Sequence, residues 1–123
     1  MNEKQRVVVL GASDKPDRYA YKALKLLAAH GHETIPVSPR VKTIEGQAVR
    51  ADLDEVTEPV DTLTLYVGPA ASSVLKDKIL GLRPGRVIFN PGAENPELKR
   101  ALDEQGIASE EACTLVLLNT GQF

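Results

Sequence analysis

Val7-Val8-Val9-Leu10-Gly11-Ala12-Ser13 is the stretch that decides the fold. Three β-branched residues and a leucine run without polar alternation, so the segment reads as a strand covered on both faces. That is the habit of a parallel sheet rather than of a half-wet antiparallel one. Gly11 ends the run, and a polar turn continues to Arg18. Beyond it Ala20, Ala23, Leu24, Leu27 and Ala28 recur at the spacing that places side chains on one helical face, with Gly31 as the stop. A buried strand handing over to an amphipathic helix is the first unit of an alternating α/β chain.

The same alternation continues downstream. Thr34–Val37 reads as a second strand, and its Pro36 favours a strand end or an exposed edge. Residues 38–58 are polar and irregular, with a single helical turn expected near Leu53. Thr62–Val67 is predicted as the third strand. Gly68-Pro69 opens a helix whose buried stripe is expected to be Ala71, Val74, Leu75 and Ile79. Arg86–Phe89 is the fourth strand, ended by Asn90-Pro91-Gly92. Asn95-Pro96 starts a helix facing inward through Leu98, Ala101 and Leu102, with Gly106 as its stop. Ile107–Ser109 gives a weak fifth strand, and Thr114–Leu118 an apolar closing segment of undetermined type. The fold class is therefore α/β: a Rossmann-like, doubly wound parallel sheet of about five strands with helices on both faces. One domain over residues 1–123 is expected from length alone.

Composition narrows the function. The formal charge of −2 conceals an asymmetry: residues 1–50 hold nine Lys or Arg against five Asp or Glu, and residues 51–123 hold six against twelve. A basic half on a mildly acidic chain suits a small polyanion. Nucleic acid would ask for a broad positive face and, for single strands, stacking aromatics, whereas only 4% of residues are aromatic. No apolar run approaches the length of a membrane span. Cys113 is the single cysteine, which forbids an internal disulfide, and Met1–Arg6 lacks the apolar core of a signal peptide. A cytoplasmic location is the resulting expectation.

In doubly wound sheets ligands lie beyond the carboxyl ends of the strands. That directs attention to residues 11–18, 38–42 and 89–94, with Val67 and Gly68 beside them. Gly11, Ala12 and Ser13 are small enough to let a phosphate approach the backbone amides at the start of the first helix. Arg18 adds a guanidinium suited to two parallel hydrogen bonds. The dinucleotide fingerprint is absent, since Ser13 and Pro16 stand where its second and third glycines belong. After the second strand the chain reads Val37-Ser38-Pro39-Arg40-Val41-Lys42, with cations where an NAD site places a carboxylate for the ribose. A phosphorylated ribose fits that loop, and both coenzyme A and NADP carry one.

Val9-Leu10-Gly11-Ala12-Ser13, the later Pro36-Val37-Ser38-Pro39, and Asn90-Pro91-Gly92 together resemble the small bacterial CoA-binding proteins. These are similar in turn to the CoA-binding domain of the succinyl-CoA synthetase α subunit. The resemblance spans Arg6 to about Leu118. It implies that coenzyme A, or an acyl-CoA, is the ligand. Gly11, Ala12 and Ser13 would face the pyrophosphate, and Lys42 would pair with the 3′-phosphate. Phe89, Asn90 and Pro91, with Gly92, would line the pantetheine side. Ser38 stands where many relatives have Asn. The synthetase's histidine-bearing second domain has no counterpart here, so the resemblance implies a carrier or regulatory module, with a protein partner or a homodimer as possible company. An NADP-linked oxidoreductase-type domain is the competing reading.

Other residues point elsewhere than chemistry. His30 and His32 lie away from the ligand edge with no third ligand nearby, so no metal site is expected. Cys113 reads as a buried small hydrophobe, Ser72-Ser73 as first-turn helix residues, and Glu94 as a helix-start carboxylate.

Overall fold

The computed structural model describes residues 3–123, so the first two residues of the N-terminal segment lie outside it. Its strands are β1 (Arg6–Leu10), β2 (Glu33–Val37), β3 (Thr43–Ile44), β4 (Gln47–Ala48), β5 (Thr62–Leu65), β6 (Arg86–Phe89) and β7 (Ala108–Glu111). Its helices are α1 (Tyr19–Ala29), α2 (Pro69–Val74), α3 (Lys76–Leu82), α4 (Pro96–Glu104) and α5 (Thr114–Asn119), with one 3-10 turn at Leu53–Glu55. Five strands form one parallel sheet in the order β2-β1-β5-β6-β7.

The run that opened the sequence explains this order. Val7 and Val9 belong to the core under α1 and α5, while Val8 and Leu10 belong to the core under α3 and α4. All four side chains are buried, so β1 needs cover on both faces, and it lies inside the sheet between β2 and β5. The chain leaves β1 toward β2 on one side and returns to β5 on the other. The carboxyl ends of β1, β2 and β5 therefore surround the point where the winding reverses.

Several expectations need correction. The irregular stretch 38–58 contains a hairpin, β3 paired antiparallel with β4. Its turn residues Glu45 and Gly46 have φ of 50° and 79°, the doubly left-handed geometry of a type I′ turn. Ile44 anchors the hairpin in the α1-side core, and Glu45 accepts a hydrogen bond from Lys25 Nζ at 2.9 Å. Beyond it, Ser38 N–H donates to Arg50 O and Arg50 N–H donates to Pro36 O, which lays this segment along the outer edge of β2. Pro36, with no N–H, thus sits on an edge strand as expected.

The helix after Gly68 is broken in two at Leu75, and its predicted stripe holds at Leu75 and Ile79 but fails at Ala71 and Val74. Val74 is 84% exposed and Ala71 is exposed, while Ser72 is fully buried. The cause is Asn95, itself buried, whose amide donates to Ser72 Oγ at 2.8 Å and Ser73 Oγ at 3.0 Å. A buried amide left unsatisfied is costly, so its partners set the helix's rotation and override the apolar spacing. The strand predicted through Val67 ends at Leu65, the closing apolar segment is α5, and Cys113 is half-buried at the start of that helix. Ala28 of the predicted α1 face is exposed. The other helix starts and the strand Arg86–Phe89 lie where the sequence places them; Asn95 Oδ1 caps α4 by accepting from Leu98 N–H at 3.1 Å.

Candidate functional site

A cleft of about 1060 Å³ opens at the carboxyl ends of β1, β2 and β5. Nine of the residues singled out from sequence line it. Gly11, Ala12, Ser13 and Arg18 come from the loop after β1, Ser38, Pro39 and Lys42 from the loop after β2, and Val67 and Gly68 from the link into α2. Its ionisable lining is lopsided: Lys15, Arg18, Arg40 and Lys42 face Asp14 as the one carboxylate. None of these cations is in a salt bridge among the described residues, whereas Arg6, Arg50, Lys78 and Arg86 are all paired. Unpaired positive charge concentrated in a concave wall raises the local potential for anions, even on a chain of net charge −2.

The two basic loops are built alike. Ser13 Oγ accepts from Lys15 N–H at 3.1 Å, and Ser38 Oγ accepts from Arg40 N–H at 3.2 Å. Each serine closes a short turn two residues long, and each hydroxyl keeps its proton for donation. Each turn also places a cation at its end. Since β1 and β2 are neighbours, with Leu10 opposite Val37, the two turns stand side by side at the sheet's edge.

The backbone contribution differs from the expectation. The N–H groups of Gly11 and Ala12 both donate to Val37 O, at 3.0 and 3.1 Å, and are not available to a ligand. They bind the end of β1 to the end of β2. Gly11 has a further constraint: its φ is +89°, and a Cβ there would meet Tyr66 O and Val67 Cγ1 at 2.9 Å. It is a glycine because the Tyr66-Val67 link that follows β5 passes that close. The amides left over are those of Ser13, Asp14 and Asp17, which make no hydrogen bond among the described residues, and those of the first turn of α1. The first bond into α1 is Lys22 N–H to Arg18 O, so Tyr19, Ala20 and Tyr21 carry the orphan donors.

Phe89, Asn90, Pro91 and Gly92 are not among the residues lining the cleft. Phe89 is 1% exposed and packs in the α3/α4-side core. Asn90 is 2% exposed, and its side chain is consumed internally. Its Nδ2 donates to Thr64 Oγ1 at 2.6 Å and to Leu65 O at 2.8 Å, and its Oδ1 accepts from Thr114 N–H at 2.9 Å. That network joins β5, β6 and α5. Pro91 and Gly92 are exposed in the following turn, where Gly92 N–H donates to Glu94 Oε1 at 2.9 Å. Glu94 therefore serves the turn before α4.

Sequence reasoning missed Tyr19, Tyr66, Ala71 and Leu75, all of which line the cleft. Tyr19 falls outside the buried stripe of α1, which is why periodicity passes over it. The Tyr66 hydroxyl is buried without a hydrogen bond among the described residues, and burial pushes its pKa up to about 12. It is a neutral phenol at any ordinary pH. The histidines lie elsewhere: His32 is buried at the opposite end of the sheet, with Nδ1 accepting from Gln5 N–H at 3.0 Å. No cluster of three metal-ligating side chains exists among the described residues. Nor is any described helix long and apolar enough to cross a membrane.

A Rossmann-like parallel sheet with a cationic cleft at its winding reversal defines an anion-binding α/β domain. The chain belongs to the family of CoA binding domains, whose pattern it matches over residues 5–119. It is similar to the uncharacterized protein YneT of Bacillus subtilis (strain 168), 30% identical over 106 residues, which is 86% of this chain and 78% of YneT. A crystal structure of an uncharacterized protein superposes with a TM-score of 0.95 at 43% identity, covering 99% of this chain and 100% of that one. A dinucleotide-forming acetyl-coenzyme A synthetase 1 from Ca. Korarchaeum cryptofilum, in complex with phosphate and ADP, shares the fold. Its TM-score is 0.73 at 19% identity, over 88% of this chain and 25% of the synthetase. Family membership supports coenzyme A binding in general, and the four unpaired cations and two free hydroxyl protons of the cleft are a donor set that fits it.

Proposed function

We propose that residues 1–123 form one domain that binds coenzyme A in the cleft at the ends of β1, β2 and β5, and that it works by holding the nucleotide rather than by transforming it. The diphosphate lies against Ser13, Lys15, Arg18 and the free amides opening α1. The ribose 3′-phosphate lies between Arg40 and Lys42, beside the Ser38 hydroxyl. The pantetheine arm leaves past Val67 and Gly68 along Ala71 and Leu75, where the lining carries no charge.

The observation that carries this reading is the pairing of two Ser-x-cation turns at the ends of adjacent strands. One anionic group per turn accounts for both, and a ligand with a diphosphate and a separate monophosphate supplies that number. Binding without chemistry is supported by the lining itself. It offers no histidine and no thiol, and its one carboxylic acid, Asp14, is exposed. A carrier, or a module that reports CoA to a protein partner or a second copy of itself, is the corresponding role.

The NADP reading uses the same Arg40–Lys42 loop but has no glycine-rich turn to bring the pyrophosphate against the backbone. Here the Gly11 and Ala12 amides are already spent on Val37. Titration calorimetry separates the two. CoA is expected to bind at micromolar Kd or tighter, dephospho-CoA about tenfold or more weaker, and NADPH weaker still. In Arg40→Ala/Lys42→Ala the gap between CoA and dephospho-CoA should close. Equal affinity of the unsubstituted protein for both would remove the 3′-phosphate from this loop, and tighter binding of NADPH would reverse the assignment.

A further inference from the structure

Aromatic side chains are scarce in this chain, which has three Tyr, two Phe and no Trp. Phe89 and Phe123 are buried, and Tyr21 and Tyr66 are half-buried against the α1-side core. Tyr19 alone is open, at 68% exposure, and of the exposed large apolar side chains Tyr19, Val74 and Val116 it is the one that lines the cleft. Packing does not account for it. Lys22 Nζ stands over the ring, 5.4 Å from its centroid, which covers one face and leaves the other for a partner. Its neighbours in sequence fix its place: Arg18 precedes it directly, and it opens the helix whose first amides are unbonded. A ring in that position is next to the place proposed for the diphosphate but carries no charge of its own.

We propose that Tyr19 is a specificity-determining contact of this site, the surface on which the adenine ring of the ligand stacks. The inference rests on the coenzyme A reading and deepens it by naming what recognises the base. A base has an extended π-face, and stacking on an aromatic side chain needs only an open ring at the right distance from the phosphates. The phosphates are held by cations that any polyphosphate would satisfy, so without such a surface the cleft would select charge and not a nucleotide. Because the ring is exposed, its removal leaves the core untouched, and the contact can be tested without unfolding the protein.

The test compares Tyr19→Ala and Tyr19→Phe with the unsubstituted chain in titrations against CoA and against adenosine 3′,5′-bisphosphate, which has the base but no pantetheine arm. Stacking of one base corresponds to about a tenfold weakening for Tyr19→Ala with both ligands, restored to within about twofold in Tyr19→Phe. Melting temperatures without ligand should coincide for all three proteins. If Tyr19→Ala binds CoA as tightly as the unsubstituted chain, the stacking role is overturned while coenzyme A binding stands. Weakening toward CoA with no change toward the bisphosphate would place Tyr19 on the arm and overturn it equally. Failure of the unsubstituted chain to bind CoA overturns the functional reading, and this inference with it.

Discussion

Replacing Asn90 by Ala tests whether the polar network at the end of β6 is structural. Asn90 bridges three elements through Thr64 Oγ1, Leu65 O and Thr114 N–H, all at 2.6–2.9 Å. Thr64 keeps a partner when the amide is lost, since its hydroxyl also meets Thr114 Oγ1 at 2.8 Å. Leu65 O and Thr114 N–H lose the bond that Asn90 supplied. Each buried group left unsatisfied costs about 1–3 kcal/mol, so the substitution is expected to cost about 3 kcal/mol of a total near 5–15 kcal/mol. For a chain of this length that lowers the melting temperature by roughly 10–15 °C. Urea unfolding followed by circular dichroism reads it directly. The Asn90→Ala/Thr64→Val pair should lose less than the sum of the single changes, because the two share one network. A loss under about 1 kcal/mol would show that water replaces the amide and that the network is not what holds α5 to the sheet. The CoA affinity of the folded Asn90→Ala protein should be unchanged within about twofold. A large loss of affinity with stability intact would instead return Asn90 to the ligand site.

Three further outcomes follow from particular contacts. Gly11→Ala puts a methyl 2.9 Å from Tyr66 O at a φ of +89°, and should destabilise the fold by about 2–5 kcal/mol in thermal unfolding; a neutral result would mean that the Tyr66-Val67 link after β5 can retreat. The Arg50 guanidinium holds the Glu58 carboxyl down to about 2 from its ordinary 4.5. A depressed carboxylate stabilises above its unfolded value and loses that contribution as pH falls, so the melting-temperature gap between the native chain and Glu58→Gln should be complete above pH 4.5 and close toward about pH 2. His32 is lowered from 6.5 chiefly by burial, with His30 and Arg86 adding to it. The folded state therefore prefers it neutral, and the stability this gives is present above pH 6.5 and declines below, where the proton would also displace the Gln5 N–H bond to Nδ1. His32→Gln should flatten that part of the stability profile, and an unchanged slope would assign the loss to other groups.

The fold was legible because β1 advertises its environment: four buried apolar residues in a row have no place but the interior of a sheet. The cap at Asn95 and the strand Arg86–Phe89 were equally local in cause. Failures occurred where distant residues decide. Val74 has the right spacing to be buried, but the hydroxyls that Asn95 requires come from the other side of the helix. The Glu45-Gly46 turn was present in the sequence as a two-residue loop, obscured by strands only two residues long. At the site, charge and small residues identified the loops after β1 and β2. What they could not show is that Val37 O occupies the Gly11 and Ala12 amides, that Asn90 is spent inside the core, or that Tyr19 stands open. Each of these depends on which atoms meet across the sheet.

A crystal structure of the protein grown with coenzyme A examines the central claim at the atoms concerned. The account places the diphosphate within hydrogen-bond reach of Ser13 Oγ and the Arg18 guanidinium, and the 3′-phosphate against Arg40 and Lys42, with the Gly11 and Ala12 amides still bonded to Val37 O. Coenzyme A bound elsewhere on the chain, with that cleft holding solvent, would contradict it.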